Sequence, residues 1–120
     1  MKILIVDDSK AMRMIVGRAL KQIGLPNTQI IEACDGTEAV NIIAAQSPDL
    51  VLSDWNMPQM KGIDLLRAVR EAGNQVHFGF ITSESGNEVR EEAKAAGAAF
   101  IVTKPFTPDS LETAIQPILA

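Results

Sequence analysis

Three carboxylates stand at the ends of two apolar runs. Asp7 and Asp8 follow Lys2-Ile-Leu-Ile-Val6, and Asp54 follows Leu50-Val-Leu-Ser53. If these runs are neighbouring strands of a parallel sheet, their carboxyl ends converge and the three side chains crowd into one acidic pocket. Two carboxylates roughly 5 Å apart repel by roughly 3 kcal/mol at an effective dielectric of about 20. Such a pocket calls for a cation. Carboxylate oxygens are hard donors, and one or two of them, with waters and phosphate oxygens, suit Mg²⁺. Lys104, after the apolar run Ala99-Phe-Ile-Val102, can bring a second positive charge to the same edge.

Taken singly, these residues have plainer readings. An Asp-Asp pair is often a charge cluster at a helix N-terminus. Asp54 alone is a loop carboxylate, Lys104 a solvated lysine, and Thr82-Ser-Glu84 an N-cap cluster. Their common position at strand ends favours a site.

The elements that must position them are legible from periodicity. Apolar runs rich in β-branched residues alternate with stretches of helical period, the pattern of βαβ units and a parallel sheet. Strands are expected near Lys2 to Val6, Gln29 to Ala33, Leu50 to Ser53, His77 to Ile81 and Ala99 to Thr103. Met12, Ile15, Val16, Ala19, Leu20 and Ile23 form one apolar stripe, and Ile63, Leu66 and Val69 recur at comparable spacing. Both stripes are expected to face the core. Gly24, Gly73 and Gly97 mark helix ends, and Thr107 before Pro108 reads as an N-cap with proline at the first helical position. The expectation is an α/β fold of five strands and five helices, with Asp7, Asp8, Asp54, Thr82 and Lys104 at one edge of the sheet.

The chain has 120 residues, enough for a single domain whose core needs no disulfide. The alternating pattern consumes all of it, so residues 1–120 read as one domain without an appended output domain. A formal net charge of -4 and scattered lysines and arginines give no basic stripe, which argues against nucleic acid. Cys34, the only cysteine, rules out an intrachain disulfide and reads as a reduced, partly buried thiol. The first apolar run is too short for a signal peptide or a membrane span. A soluble, cytoplasmic monomer is expected. His77 has no second histidine or cysteine beside it, which argues against a transition metal. Glu88, Arg90, Glu91, Glu92 and Lys94 read as a solvated helix face. Trp55 either reports on events at Asp54 or simply covers apolar surface.

Four segments, Val6-Asp-Asp8, Leu52-Ser-Asp-Trp-Asn-Met-Pro58, Ile81-Thr-Ser-Glu84 and Thr103-Lys-Pro-Phe106, resemble in order the motifs of response-regulator receiver domains. The wording Asp54-Trp-Asn-Met-Pro58 is similar to that of the single-domain chemotaxis regulators. The resemblance implies a flavodoxin-like, doubly wound parallel sheet in the order 2-1-3-4-5, binding ligands beyond the carboxyl ends of the strands. A chemotaxis response regulator is itself an example of that rule, so the order rests on the resemblance and periodicity alone does not supply it. The resemblance further implies that Asp54 accepts a phosphoryl group from a histidine kinase. Asp7, Asp8, Asp54 and the backbone carbonyl of Asn56 would organise Mg²⁺, Asp8 directly and Asp7 through water. Thr82 and Lys104 would contact the phosphoryl oxygens, Asn56 and Glu84 would tune dephosphorylation, and a cis peptide before Pro105 would aim the lysine inward. The implied function is a phosphorylation-dependent switch of a two-component system in chemotaxis, not an enzyme acting on an outside substrate. A flagellar motor switch protein is the candidate output partner.

These roles agree with the chemistry of the residues, because phosphoryl transfer needs positioning and charge neutralisation. Three carboxylates, one divalent cation and one lysine sum to roughly zero, and an acyl phosphate at Asp54 adds about one further negative charge. Thr82 and Lys104 are placed to absorb it. Ile101 departs from the family, since chemotaxis regulators usually carry an aromatic residue three positions before the site lysine. Phe100 cannot replace it, because alternation along a strand points it to the other face. Thr82 and Ile101 are the expected switch residues, with an altered output surface at Ile101. Rival readings are a phosphatase or mutase passing through an aspartyl phosphate, a flavin-binding module, and a receiver that drains phosphate from a shared kinase. The first would place an aspartate where Asn56 stands. The second would want more hydroxyls and glycines than Asp7-Asp-Ser-Lys10 offers.

Overall fold

Strands and helices alternate without exception in the computed structural model, which describes residues 1–84 and 86–119. The strands are β1 (Lys2–Val6), β2 (Gln29–Ala33), β3 (Leu50–Ser53), β4 (His77–Thr82) and β5 (Phe100–Thr103). Between and after them run α1 (Lys10–Ile23), α2 (Gly36–Gln46), α3 (Gly62–Glu71), α4 (Asn87–Ala96) and α5 (Pro108–Leu119). All four ladders are parallel, in the order β2-β1-β3-β4-β5. This is the flavodoxin-like order. The chain winds outward from β1 to β2, then returns past β1 to β3, so the switch point lies between β1 and β3.

Local chemistry sets the boundaries. The Ser9 hydroxyl accepts the Met12 N–H at 3.2 Å and starts α1, and Asp35 accepts the Glu38 N–H at 2.8 Å and starts α2. At α5, Thr107 and Ser110 exchange bonds: each hydroxyl accepts the other's backbone N–H, at 3.1 and 3.0 Å. Gly24 and Gly97 close α1 and α4 in the left-handed region, with φ of 78° and 100°. β4 runs one residue beyond the expected end because Thr82 pairs with Thr103 across to β5.

The alternation of side chains divides the core in two. Ile3, Ile5, Leu50 and Leu52 pack under α1 and α5, against Val16, Leu20, Leu111 and Ile115. Leu4, Val6, Val51, Phe78 and Phe80 pack on the other face, under α2, α3 and α4. Ile63, Leu66 and Val69 are buried there as their spacing requires. Two expectations fail. Ile15 is 48% exposed, because at about 100° per residue it lies roughly 80° round the helix from the centre of its stripe. Cys34 is exposed where the chain leaves β2. It is still a poor nucleophile: desolvation of the sulfur, then the Glu38 and Asp35 carboxylates, raise its pKa and keep the thiol protonated.

Gly62 fixes how closely α3 approaches the end of β3. Its N–H donates to the Trp55 carbonyl at 2.9 Å, and a Cβ there would overlap the Asp54 carbonyl oxygen and come within 2.9 Å of the Phe80 ring. Gly62→Ala is therefore expected to destabilise the protein by about 1–3 kcal/mol, the usual scale for overpacking. Urea unfolding measures it, and wild-type stability would show that the β3–α3 loop yields.

Candidate functional site

Two backbone hydrogen bonds carry the ladders past the strand ends. The Asp7 N–H donates to the Ala33 carbonyl at 3.2 Å, and the Asp54 N–H to the Val6 carbonyl at 2.9 Å. Val6 is in register with Ser53, so the next residue on each strand, Asp7 and Asp54, emerges beside the other. Asp8 follows immediately. Carboxylate oxygens of Asp7, Asp8 and Asp54 all lie within 4.8 Å of one another. They span a gradient from inside to outside: Asp7 is buried, Asp54 partly so, and Asp8 exposed.

The opposing charge comes from the far side of the switch point. The Lys104 N–H donates to the Thr82 carbonyl at 2.8 Å, so the lysine leaves the sheet edge beside Thr82. Its Nζ lies 3.5 Å from Asp7 Oδ2 and 3.5 Å from Asp54 Oδ1. The Lys104–Pro105 peptide is cis. Thr82 is fully buried, and its Oγ1 accepts the Glu84 N–H at 3.0 Å. This bond turns the chain after β4 and is not a helix cap, since α4 begins after Gly86 without a side-chain cap. Across the mouth, Asn56 Nδ2 donates to Glu84 Oε1 at 3.0 Å. Trp55 is buried with its ring edge-on to Phe80 at 4.9 Å, and its backbone N–H donates to Asp54 Oδ1 at 2.8 Å. Ile101 and Phe100 lie on opposite faces of the sheet, as alternation requires. His77 and the Glu88 to Lys94 charges are exposed, the latter with Glu92 paired to Arg67 at 2.8 Å.

The carboxylates do not share the strain equally. Burial raises the pKa of Asp7, as do Asp54 and Asp8, against the lowering effects of the Ser9 N–H and Lys104. One lysine cannot neutralise three carboxylates. Sequence reading missed Arg13, which lies one turn into α1. Its Nη1 donates to the Asp7 carbonyl at 2.6 Å while its Nε pairs with Glu32 on β2 at 2.9 Å. Arg13 thus braces the backbone of the acidic turn without spending its charge on the carboxylates. A lone arginine six residues after Asp7 looks like any surface cation in sequence, and only the fold reveals its reach.

The family model for the response regulator receiver domain matches residues 3–116. The chain belongs to the response regulator receiver domains. The chemotaxis protein CheY of Pseudomonas aeruginosa is 43% identical, covering 98% of this chain and 95% of its own. CheY-3 of Vibrio cholerae is 42% identical, over 98% and 91%. Among solved structures, Vibrio cholerae CheY4 superposes with a TM-score of 0.87 at 34% identity, covering 98% of this chain and 97% of that one. As a receiver domain, the chain is a phosphorylation-dependent switch of two-component signalling, fed by a histidine kinase. No helix among the described residues is long and apolar enough to cross a membrane.

The donor set fits a hard divalent cation: three clustered carboxylates, one of them exposed to admit waters, and no sulfur or imidazole among them. A group whose folded pKa is raised costs stability once it ionises. For Asp7 that cost is absent below the ordinary carboxylate pKa, grows as pH rises from there through the raised value, and is complete only above it. In metal-free buffer, Asp7→Asn should therefore stabilise the protein at pH 7 by roughly 1–2 kcal/mol, the scale of one relieved carboxylate contact less the loss of Lys104. The gain should vanish on acidification. Equal stabilities across this range would contradict the crowding.

Proposed function

We propose that Asp54 is the phosphoacceptor, that Asp7, Asp8, Asp54 and the Asn56 backbone carbonyl hold Mg²⁺, and that the protein is a cytoplasmic, monomeric chemotaxis regulator. The observation that carries this reading is the position of Lys104 Nζ, 3.5 Å from both Asp7 and Asp54 inside a pocket of three carboxylates. A surface lysine has no reason to bridge two such groups. The chemotaxis assignment rests on the names of the relatives at 42 and 43% identity.

The chemistry follows from the oxygens of Asp54. Oδ1 is engaged by the Trp55 N–H and faces Lys104, whereas Oδ2 receives no hydrogen bond among the described residues and is the attacking oxygen. It forms an O–P bond to the phosphoryl group of a phosphohistidine as the P–N bond breaks and its electron pair returns to the imidazole. Bound Mg²⁺ supplies the positive charge that one lysine lacks. The Thr82 hydroxyl accepts from Glu84 yet keeps its own proton to donate, and Lys104 shifts from the carboxylates to the new phosphoryl oxygens. Asn56 and Glu84, joined across the mouth, set the access of water to the acyl phosphate and hence its lifetime.

Treatment with acetyl phosphate and Mg²⁺, read by intact mass, tests the assignment. Wild type should gain one phosphoryl group and Asp54→Ala none. The same yield in both proteins would remove Asp54 from the mechanism.

Ile101 is β-branched and stiff at χ1, with less surface than the aromatic residue usual in chemotaxis regulators, so it is a lesser anchor for an output partner such as a flagellar motor switch protein. Ile101→Ala is expected to leave phosphorylation of Asp54 intact and to weaken partner binding by no more than about 1–2 kcal/mol. Titration of the phosphorylated protein against the switch protein measures it, and abolished binding would make Ile101 a dominant contact.

A further inference from the structure

Lysines and arginines that look scattered along the sequence gather on one helix. α1 contains Lys10, Arg13, Arg18 and Lys21 and no acidic residue, in a chain of net charge -4. Arg13 is committed to Glu32 and the Asp7 carbonyl. Arg18 and Lys21 form no ion pair among the described residues, although a groove of roughly 580 Å³ opens beside them between α1 and the edge strand β2. Leu20, Leu25 and Ile30 line it, and Met14, 47% exposed, stands on its rim.

Gly17 keeps this groove open. Met14, Gly17, Arg18 and Lys21 follow the i, i+3, i+4, i+7 spacing of a single helix stripe. A Cβ at Gly17 would meet only Ile5 Cδ1, at 4.0 Å, and its φ is not in the left-handed region. Neither packing nor backbone geometry demands glycine there, and glycine inside a helix is less stable than alanine. The chain thus leaves a gap between an exposed methionine and two cations that are unpaired among the described residues.

We propose that the groove docks an acidic segment of a partner protein, with carboxylates on Arg18 and Lys21 and an apolar side chain laid beside Met14 over Gly17. Charge complementarity selects this occupant, since the basic stripe lies on an otherwise acidic molecule and its floor is apolar. A nucleic-acid backbone fits less well, because the apolar floor offers a phosphate chain nothing. Arg13 lines the groove and also braces Asp7, but Gly17, Arg18 and Lys21 make no hydrogen bond or ion pair to Asp7, Asp8 or Asp54 among the described residues, so they can be altered without touching Asp54 chemistry.

The probe is a blocked peptide of about twelve residues containing glutamates and two leucines among alanines and glutamines, compared with the same peptide carrying lysine for glutamate. Amide chemical-shift mapping should confine the acidic peptide's footprint to Met14–Lys21 and Thr28–Glu32, with no response to the lysine peptide. Gly17→Gln, which fills the gap, and the double reversal Arg18→Glu with Lys21→Glu should each weaken binding about tenfold or more. Gly17→Ala should fold at least as well as wild type and retain binding. All variants should accept phosphoryl from acetyl phosphate as wild type does. Equal affinity in wild type and Gly17→Gln, a footprint elsewhere, no binding at millimolar peptide, or displacement of the peptide by a stoichiometric single-stranded oligonucleotide would overturn the proposal.

Discussion

Repulsion among three carboxylates, forced together by backbone hydrogen bonding, is the constraint on which the rest of this molecule turns. The bonds from Asp7 to Ala33 and from Asp54 to Val6 extend the parallel ladders one residue past the strands. They start the two side chains next to each other, and Asp8 joins them within 4.8 Å. A fold optimised for stability alone would place amides or apolar groups here. Keeping acids at this point, with Asp7 buried and its pKa raised, is a local sacrifice of stability of the kind expected at functional sites.

The surroundings hold that charge in place without cancelling it. Lys104 bridges Asp7 and Asp54 at 3.5 Å to each, which is a loose contact for an ion pair and leaves the ammonium able to move. Arg13 grips the backbone of the acidic turn and directs its charge toward Glu32. The Trp55 N–H fixes one oxygen of Asp54 and leaves the other open. Thr82, buried at the end of β4, already has its oxygen occupied by Glu84 and presents its proton elsewhere. The arrangement is charged and incompletely neutralised, as the proposed cation and phosphoryl group would require.

Much of this was legible in the sequence because strand ends announce themselves. The apolar runs before Asp7, Asp54 and Lys104 are short, β-branched and bounded by polar residues, so their boundaries and the edge they share could be read directly. The strand order came through family resemblance, since period-two alternation says which face a residue takes but not which strand lies beside it. Ile15 was misplaced because it sits at the margin of its stripe, where hydrophobicity and exposure part company. Cys34 was expected to be partly buried on residue type alone, while the end of β2 leaves it exposed. Arg13, Gly62 and the Asn56–Glu84 bond depend on contacts between elements far apart in sequence, and no local pattern encodes them.

The most direct measurement of the central claim is the thermal midpoint at pH 7 as a function of MgCl₂, compared with NaCl at matched ionic strength. If the carboxylates form an under-neutralised cation site, Mg²⁺ binds the folded state only. The midpoint should then rise along a saturable curve that NaCl does not reproduce, since screening acts weakly on partly buried charges. Identical curves in the two salts would mean that the cluster holds no cation and that its crowding is incidental.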